Sequence, residues 1–415
     1  METIVNAAFA DILIPGRGDP IKNGAVVWQG KTILYAGAQS SLPGQYSQLQ
    51  AETFPILMPG MWDSHIHFLG ATAGRMEMIA STSQTLAGAR SVQNLHDTVM
   101  AGFTSVREVG GYGCELSKAI DEGHVVGPKI YSSHSAISMT AGHADIHSMN
   151  LQHIHDLCAY GLPLAIVDGV SECIKAVRLQ LRHGARVIKV CASGGVVSDL
   201  DDPKHQQFSL EELRAIVEEA RRAGRAVAAH CHGKAGIMAA LEAGCHTIEH
   251  GSYLDTESVD LMVKKGAMLV ATRSVIESCL AMPEIFPPRA YQKMLSVANA
   301  HAEAYALAIT KGVKIALGTD IFLASSSGPL TYGKNGQELM YAVKAGMTPL
   351  QAIEAATANG PMTLGEQAPL SGQLKEGYDA DMIALSANPL EAIECIADPN
   401  TVVRVWKQGT LIKSS

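Results

Sequence analysis

Between residues 56 and 320, short apolar runs rich in β-branched residues recur eight times, at 56–67, 103–109, 129–137, 186–192, 226–232, 246–250, 268–273 and 314–320. Stretches with helical periodicity separate them, including 91–101, 114–122, 171–183, 209–223, 234–243, 255–265 and 291–311. Strands that alternate with helices pair in parallel, because a tight hairpin cannot join them. Eight such units make a (β/α)₈ TIM barrel. Local signals agree with these limits. Ser209 and Glu212 form a capping box at the start of the helix at 209–223, and Gly224 and Gly244 stand where helices end. Helices at 337–345 and 349–358 would close the barrel.

The flanks read differently. Residues 25–28 and 31–36 surround a Gln29-Gly30 turn, and residues 402–406 and 411–412 surround Gln408-Gly409. We expect both ends to build one composite β-sandwich domain, 1–55 plus 368–415, beside a barrel domain at 56–367. The length of 415 residues suits this division. Hydrophobic residues make up 47% and charged residues 17%, as in a soluble globule. The net charge of −8 is dispersed, with no basic stripe for nucleic acid and no polybasic run for a membrane. No apolar stretch approaches membrane-spanning length, and the first twenty residues do not resemble a signal peptide. The eight cysteines lack any CxxC pair and read as reduced thiols in a cytoplasmic protein.

Six polar residues stand near the C-terminal ends of the expected strands. His65 and His67 alternate on the first, so both side chains point to one face and can grip one metal ion. Lys189 lies inside Val187-Ile188-Lys189-Val190, where both faces of a barrel strand are covered. A buried ammonium has two outlets: it pairs with a carboxylate, or it reacts with CO₂ to form an anionic carbamate (N6-carboxylysine) that bridges two metal ions. The histidines around it favour the carbamate. His230, His250 and Asp320 each end a strand. Two metals would share the carbamate and a hydroxide, which would act as the nucleophile. Asp320 would take the hydroxide's proton and pass it to the leaving amine. His/carboxylate ligation at neutral pH favours two Zn²⁺ ions.

With these residues in place, the chain resembles the amidohydrolase superfamily, in the branch with a binuclear metal centre and a carboxylated lysine on strand 4. The run Gly372-Gln373-Leu374, Gly377, Ala380-Asp381 matches that family's re-entry into its β-domain. The stretches Thr140-Ala141-Gly142-His143, Ala192-Ser193-Gly194-Gly195-Val196 and His232-Gly233-Lys234-Ala235-Gly236 are similar to a subgroup of prolidase-like and carboxypeptidase-like enzymes and ochratoxinases. That resemblance implies hydrolysis of a small-molecule amide whose amine side is a free amino acid. An ochratoxin A-type substrate, split to ochratoxin alpha and L-phenylalanine, and Xaa-Pro or other dipeptides fit this description. By position it implies His65, His67 and Asp320 at one metal, Lys189 bridging, and His230 and His250 at the other. His143 and His232 would face the substrate, polarising its carbonyl or holding the product carboxylate. It also implies a homo-oligomer, octamers included.

Arg273, just past a strand, can bind a substrate carboxylate or form a structural ion pair. Arg107, beside Glu108, reads as a barrel-interior pair. Loops 68–90, 134–160, 196–207 and 321–335 would shape the pocket. A rival reading keeps the fold but opens cyclic amides or deaminates, as in imidazolonepropionase-like relatives. Those generally use one metal and lack the strand-4 lysine, so Lys189 argues against it. A scaffold without activity would not need all six ligands.

Overall fold

The computed structural model describes residues 4–325 and 328–414. Eight parallel barrel strands run in the expected order: Met61–Ala71, Phe103–Glu108, Lys129–Ser132 continuing as Ala136–Ser138, Ile188–Cys191, Val227–Cys231, Thr247–His250, Met268–Val270 and Lys314–Ile315. Backbone bonds close the two seams of the barrel, among them one at each seam. Arg186 N–H donates to the Ser132 carbonyl at 2.8 Å, and Ser64 N–H donates to the Leu317 carbonyl at 2.8 Å. Helices pack outside, and the main apolar core lies between them and the barrel wall. Leu213, Ile216 and Ala220 show how: three buried positions along one face of helix Leu210–Arg222. The Ser209–Glu212 capping box forms at its start, and Gly244 ends helix Lys234–Ala243 at a φ of 96°.

The differences from the expected elements have local causes. The run 56–67 is two strands. Glu52–Pro59 pairs with Val5–Leu13 and Met382–Leu385, and the barrel strand begins at Met61. Gly60 lies between, packed so closely on Thr104 that a Cβ there would collide. The run 129–137 is split by His134, whose φ of 64° breaks the ladder. Its first part pairs with strand two and its second with strand four and with an additional strand, Leu164–Ile166. Arg273 belongs to no strand. It opens helix Arg273–Ala281, which the periodicity hid among short apolar residues. The loop 68–90 contains helix Met76–Ser81 and the start of Gln84–Met100, and the loop 134–160 contains Leu151–Ala159, capped by Asn150.

Strands from both ends of the chain share one seven-stranded sheet. The two expected hairpins form at Gln29-Gly30 and Gln408-Gly409. Trp28, Phe54 and Trp406 meet edge to face in its core, with centroids 5.9 and 5.7 Å apart. All eight cysteines are free, six of them buried. Among the described residues, no helix is long and apolar enough to cross a membrane.

Candidate metal and active site

His65 and His67 both reach the barrel mouth, their rings 5.3 Å apart. Each Nδ1 is already committed. His65 Nδ1 lies 2.7 Å from a Glu249 carboxylate oxygen, and His67 Nδ1 lies 2.7 Å from the Gly110 carbonyl. Both partners only accept, so both Nδ1 atoms carry hydrogen, and Nε2 is the nitrogen whose lone pair each ring can offer to a metal ion. These lone pairs converge on the Asp320 carboxylate, 3.5 Å from His65 and 3.1 Å from His67. Three acceptors facing one another need a cation among them, and the set is one that zinc takes readily. Asp320 adopts a φ of 58°, an uncommon conformation for a residue with a side chain. Asp63, wholly buried, holds this arrangement together. It accepts from His65 N–H, Thr319 N–H and Oγ1, and Asn335 Nδ2, fastening strand one to the end of strand eight. Burial raises its carboxyl to about 6 against those hydrogen bonds.

Lys189 is buried between strands three and five. Among the described residues its Nζ has no hydrogen bond and no carboxylate within ion-pair distance. The nearby Glu249 is taken, since Arg107 Nη2 donates to both its oxygens at 2.7 and 2.8 Å and His65 donates as well. Burial works against the Glu249 charge, but Arg107 and His65 keep its carboxyl well below the usual range. Burial lowers the Lys189 amine. The structural ion pair weighed for this lysine is therefore absent, and a readily neutralised amine faces the cavity. Arg107 does pair inside the barrel, but with Glu249. Its neighbour Glu108 points to the opposite face, as alternation requires, and accepts from Phe68 N–H, Gly113 N–H and Ser132 Oγ.

His230, His232 and His250 form a second cluster whose donor atoms lie within 4.8 Å of one another. His230 Nε2 donates to the Gly194 carbonyl at 3.2 Å, which leaves Nδ1 open. His250, at a φ of 68°, is steadied by Thr272 Oγ1, and His232 by Ser252 Oγ, each at 2.7 Å. His232 thus stands beside the two expected ligands as well as on the cavity wall. His143 stacks on His230 with centroids 4.1 Å apart. Burial holds His65 and His143 down to about 4 and His232 to about 3, so these imidazoles are neutral at neutral pH.

All the residues expected at the site except Arg273 line one open cavity, whose space, mouth included, is about 1110 Å³. Its upper wall is apolar, with Leu69, Ile79, Leu164, Val275, Met294 and Phe322. Arg273 is turned away. Its guanidinium donates to Glu277 at 2.7 and 3.0 Å and to the Ala298 carbonyl at 2.6 Å. The ion-pair alternative is the one realised, because an Arg at the start of a helix meets the Glu four residues on. Arg75 is the cavity's exposed cation instead, and its guanidinium has no hydrogen-bond partner among the described residues. The sequence reading passed over Asp63, Glu249 and Arg75. Glu249 had a signal equal to that of Lys189, a charge inside an apolar strand. Arg75, in a stretch of small residues, had none.

A parallel barrel with histidines and a carboxylate at the C-terminal mouth of its strands defines a class of metal-assisted hydrolase scaffolds. The chain belongs to the amidohydrolase family, whose model matches residues 56–412. It is 47% identical to an ochratoxinase of Aspergillus niger, over 99% of this chain and 87% of that protein. The crystal structure of A. niger ochratoxinase superposes with a TM-score of 0.94 at 46% identity, covering 100% of this chain and 97% of the other. A prolidase complexed with N-methylphosphonate-L-proline matches at 31% identity, TM-score 0.90, with 99% and 100% coverage. A Xaa-Pro dipeptidase with methionine in its active site matches at 29%, TM-score 0.85, with the same coverage.

Proposed function

We propose that this amide hydrolase cleaves N-acyl amino acids, including ochratoxin A-type amides, and dipeptides that present a free carboxylate. The observation that carries this reading is the single cavity, which joins a convergent donor set at its floor to an apolar wall and one exposed guanidinium. His65, His67 and Asp320 would hold one divalent ion and His230 and His250 a second, with Lys189, carboxylated, between them. Zinc suits these donors. When bound, the ions supply Lewis acidity and make water a competent nucleophile at neutral pH.

The chain's own residues do the rest. Asp320, anionic and beside both first-strand histidines, takes the water proton and returns it to the leaving nitrogen. The apolar wall receives the acyl group or a bulky side chain and excludes water. Arg75 pairs with the substrate carboxylate and sets which end of the molecule enters first. The identity to ochratoxinase and the prolidase-like neighbours support the same substrate class.

The test is a panel of N-acyl amino acids and dipeptides, ochratoxin A included, given to the zinc-supplemented protein. Free amino acid should be released, and Asp320→Asn should lower the rate about 10²- to 10⁴-fold. Turnover of cyclic amides alone, with no amino acid set free, would overturn the reading. Arg75→Ala should raise KM for free-carboxylate substrates and leave their carboxamide analogues unaffected. Equal loss on both would remove Arg75 from its role.

A further inference from the structure

His134 breaks strand three in a left-handed conformation, a costly one for a residue with a side chain. Its ring is not part of the active-site cavity. It lies face to face with the ring of His183, with centroids 4.0 Å apart and planes 13° from parallel. His183 is the last residue of helix Gly169–His183, which Gly184 ends at a φ of 93°. Glu115, in the first turn of helix Gly113–Asp121, completes a group of three. One donor atom from each of these residues lies within 4.8 Å of the others.

Nothing else in the protein uses these donors. Among the described residues, neither the Glu115 carboxylate nor either ring nitrogen of His183 has a hydrogen bond, and no ion pair joins Glu115 to either ring. His134 Nδ1 lies 2.7 Å from Ser135 Oγ, which leaves Nε2 without a partner. His134 is buried, while Glu115 and His183 are exposed. Stacking alone accounts for the two rings. It does not account for a carboxylate without a partner set against them, nor for the strained backbone that carries one of them. Parallel rings aim their lone pairs side by side, and ligands of one zinc ion stand about 3.4 Å apart. A shared ion therefore needs the rings tilted towards each other, and His183, exposed at its helix end, is the one with room to tilt. Lys118, further along the helix of Glu115, adds one positive charge near His134, which the Glu115 carboxylate offsets.

We propose that Glu115, His134 and His183 form a metal site separate from the proposed centre in the cavity, binding one transition-metal ion of the zinc class. Two imidazoles and one carboxylate select zinc, cobalt, nickel or copper over calcium and magnesium, which prefer all-oxygen shells. Three protein ligands leave a fourth position to water. The groove beside His183, lined also by Cys114, Lys118 and Arg186, gives water access to it. The ion ties two outer helices to the break in strand three. The His134 carbonyl accepts from Gly111 N–H at 2.9 Å, and the neighbouring Gly110 carbonyl is the one that holds His67. A bound ion thus braces, from outside the cavity, the segment that aims His67. The site stands independently of what the enzyme hydrolyses.

The test counts metal. Full-length protein dialysed against a chelator is titrated with zinc at neutral pH by calorimetry, and its bound metal is measured by mass spectrometry. The parent is compared with His183→Ala, with Glu115→Gln, and with His250→Ala, which disables the cavity instead. Both His183→Ala and Glu115→Gln should bind one equivalent fewer than the parent, or bind it about 100-fold more weakly. His250→Ala should keep that equivalent, and calcium or magnesium should not fill it. Both altered residues are exposed and lie on different helices, and unchanged urea unfolding of the metal-free variants checks that each still folds. Equal stoichiometry and affinity in the parent and His183→Ala would overturn the proposal. A single equivalent in the parent that vanishes in His183→Ala would uphold this site and count against the cavity centre. Loss in His250→Ala alone would do the reverse.

Discussion

Asp381 shows what one buried carboxylate does to a fold. Its Oδ1 accepts from Gln408 N–H at 2.6 Å, while Oδ2 is buried without a partner among the described residues. Burial therefore raises its pKa from 3.8 to about 6. The folded state holds this proton more tightly than the unfolded chain. Stability from this group is complete below about pH 4, declines as pH rises to about 6, and stays reduced above. Asp381→Asn keeps the oxygen that meets Gln408 and removes the titration. Urea unfolding should show the variant more stable at pH 7 by up to about 3 kcal/mol, converging with the parent near pH 4. A constant difference across that range would refute the account. At this scale the site was largely legible. His65, His67, Lys189, His230, His250 and Asp320 all stand on one cavity because strand alternation and strand-end placement are local rules. Arg273 was left between two roles because its partner, Glu277, becomes a neighbour only once residues 273–281 are known to be helical.

Among the elements, the barrel strands were read correctly in number and order because each carries its own apolar run. Their breaks were not, since Gly60 and His134 act through contacts with other strands. The most instructive link between elements is Arg107 on strand two with Glu249 on strand six, both fully buried. Arg107→Met would strand the Glu249 charge and should destabilise the fold by about 3–5 kcal/mol. The double variant Arg107→Met/Glu249→Gln should recover part of that loss in the same denaturant series. Glu249→Gln alone, by loosening His65 Nδ1, should weaken metal binding about 10- to 100-fold in a chelator competition. Unchanged affinity would mean that His65 is aimed by packing alone.

For the whole molecule, the donors of the proposed centre come from strands one, four, five, six and eight, so an ion bound there fastens most of the barrel's circumference. Ligands that favour the native state stabilise it by mass action, about 4 kcal/mol at a thousand times Kd. Dialysis against a chelator should lower the Tm, and returning zinc should restore it. A Tm indifferent to both would argue that the barrel mouth is not a metal site.

The seven-stranded sheet has its own consequence for how the protein comes into being. Its strand Glu52–Pro59, which leads directly into the barrel, pairs on one side with Val5–Leu13 and on the other with Met382–Leu385. Trp28 Nε1 donates to a carbonyl 381 residues away, at Gly409. Contacts so distant in sequence fold slowly. During synthesis the edge of Glu52–Pro59 must wait, unpaired, while every barrel strand emerges from the ribosome. The charged Glu52 and the prolines Pro55 and Pro59 on that strand are the kind of residues that keep a waiting edge from pairing with a neighbouring chain.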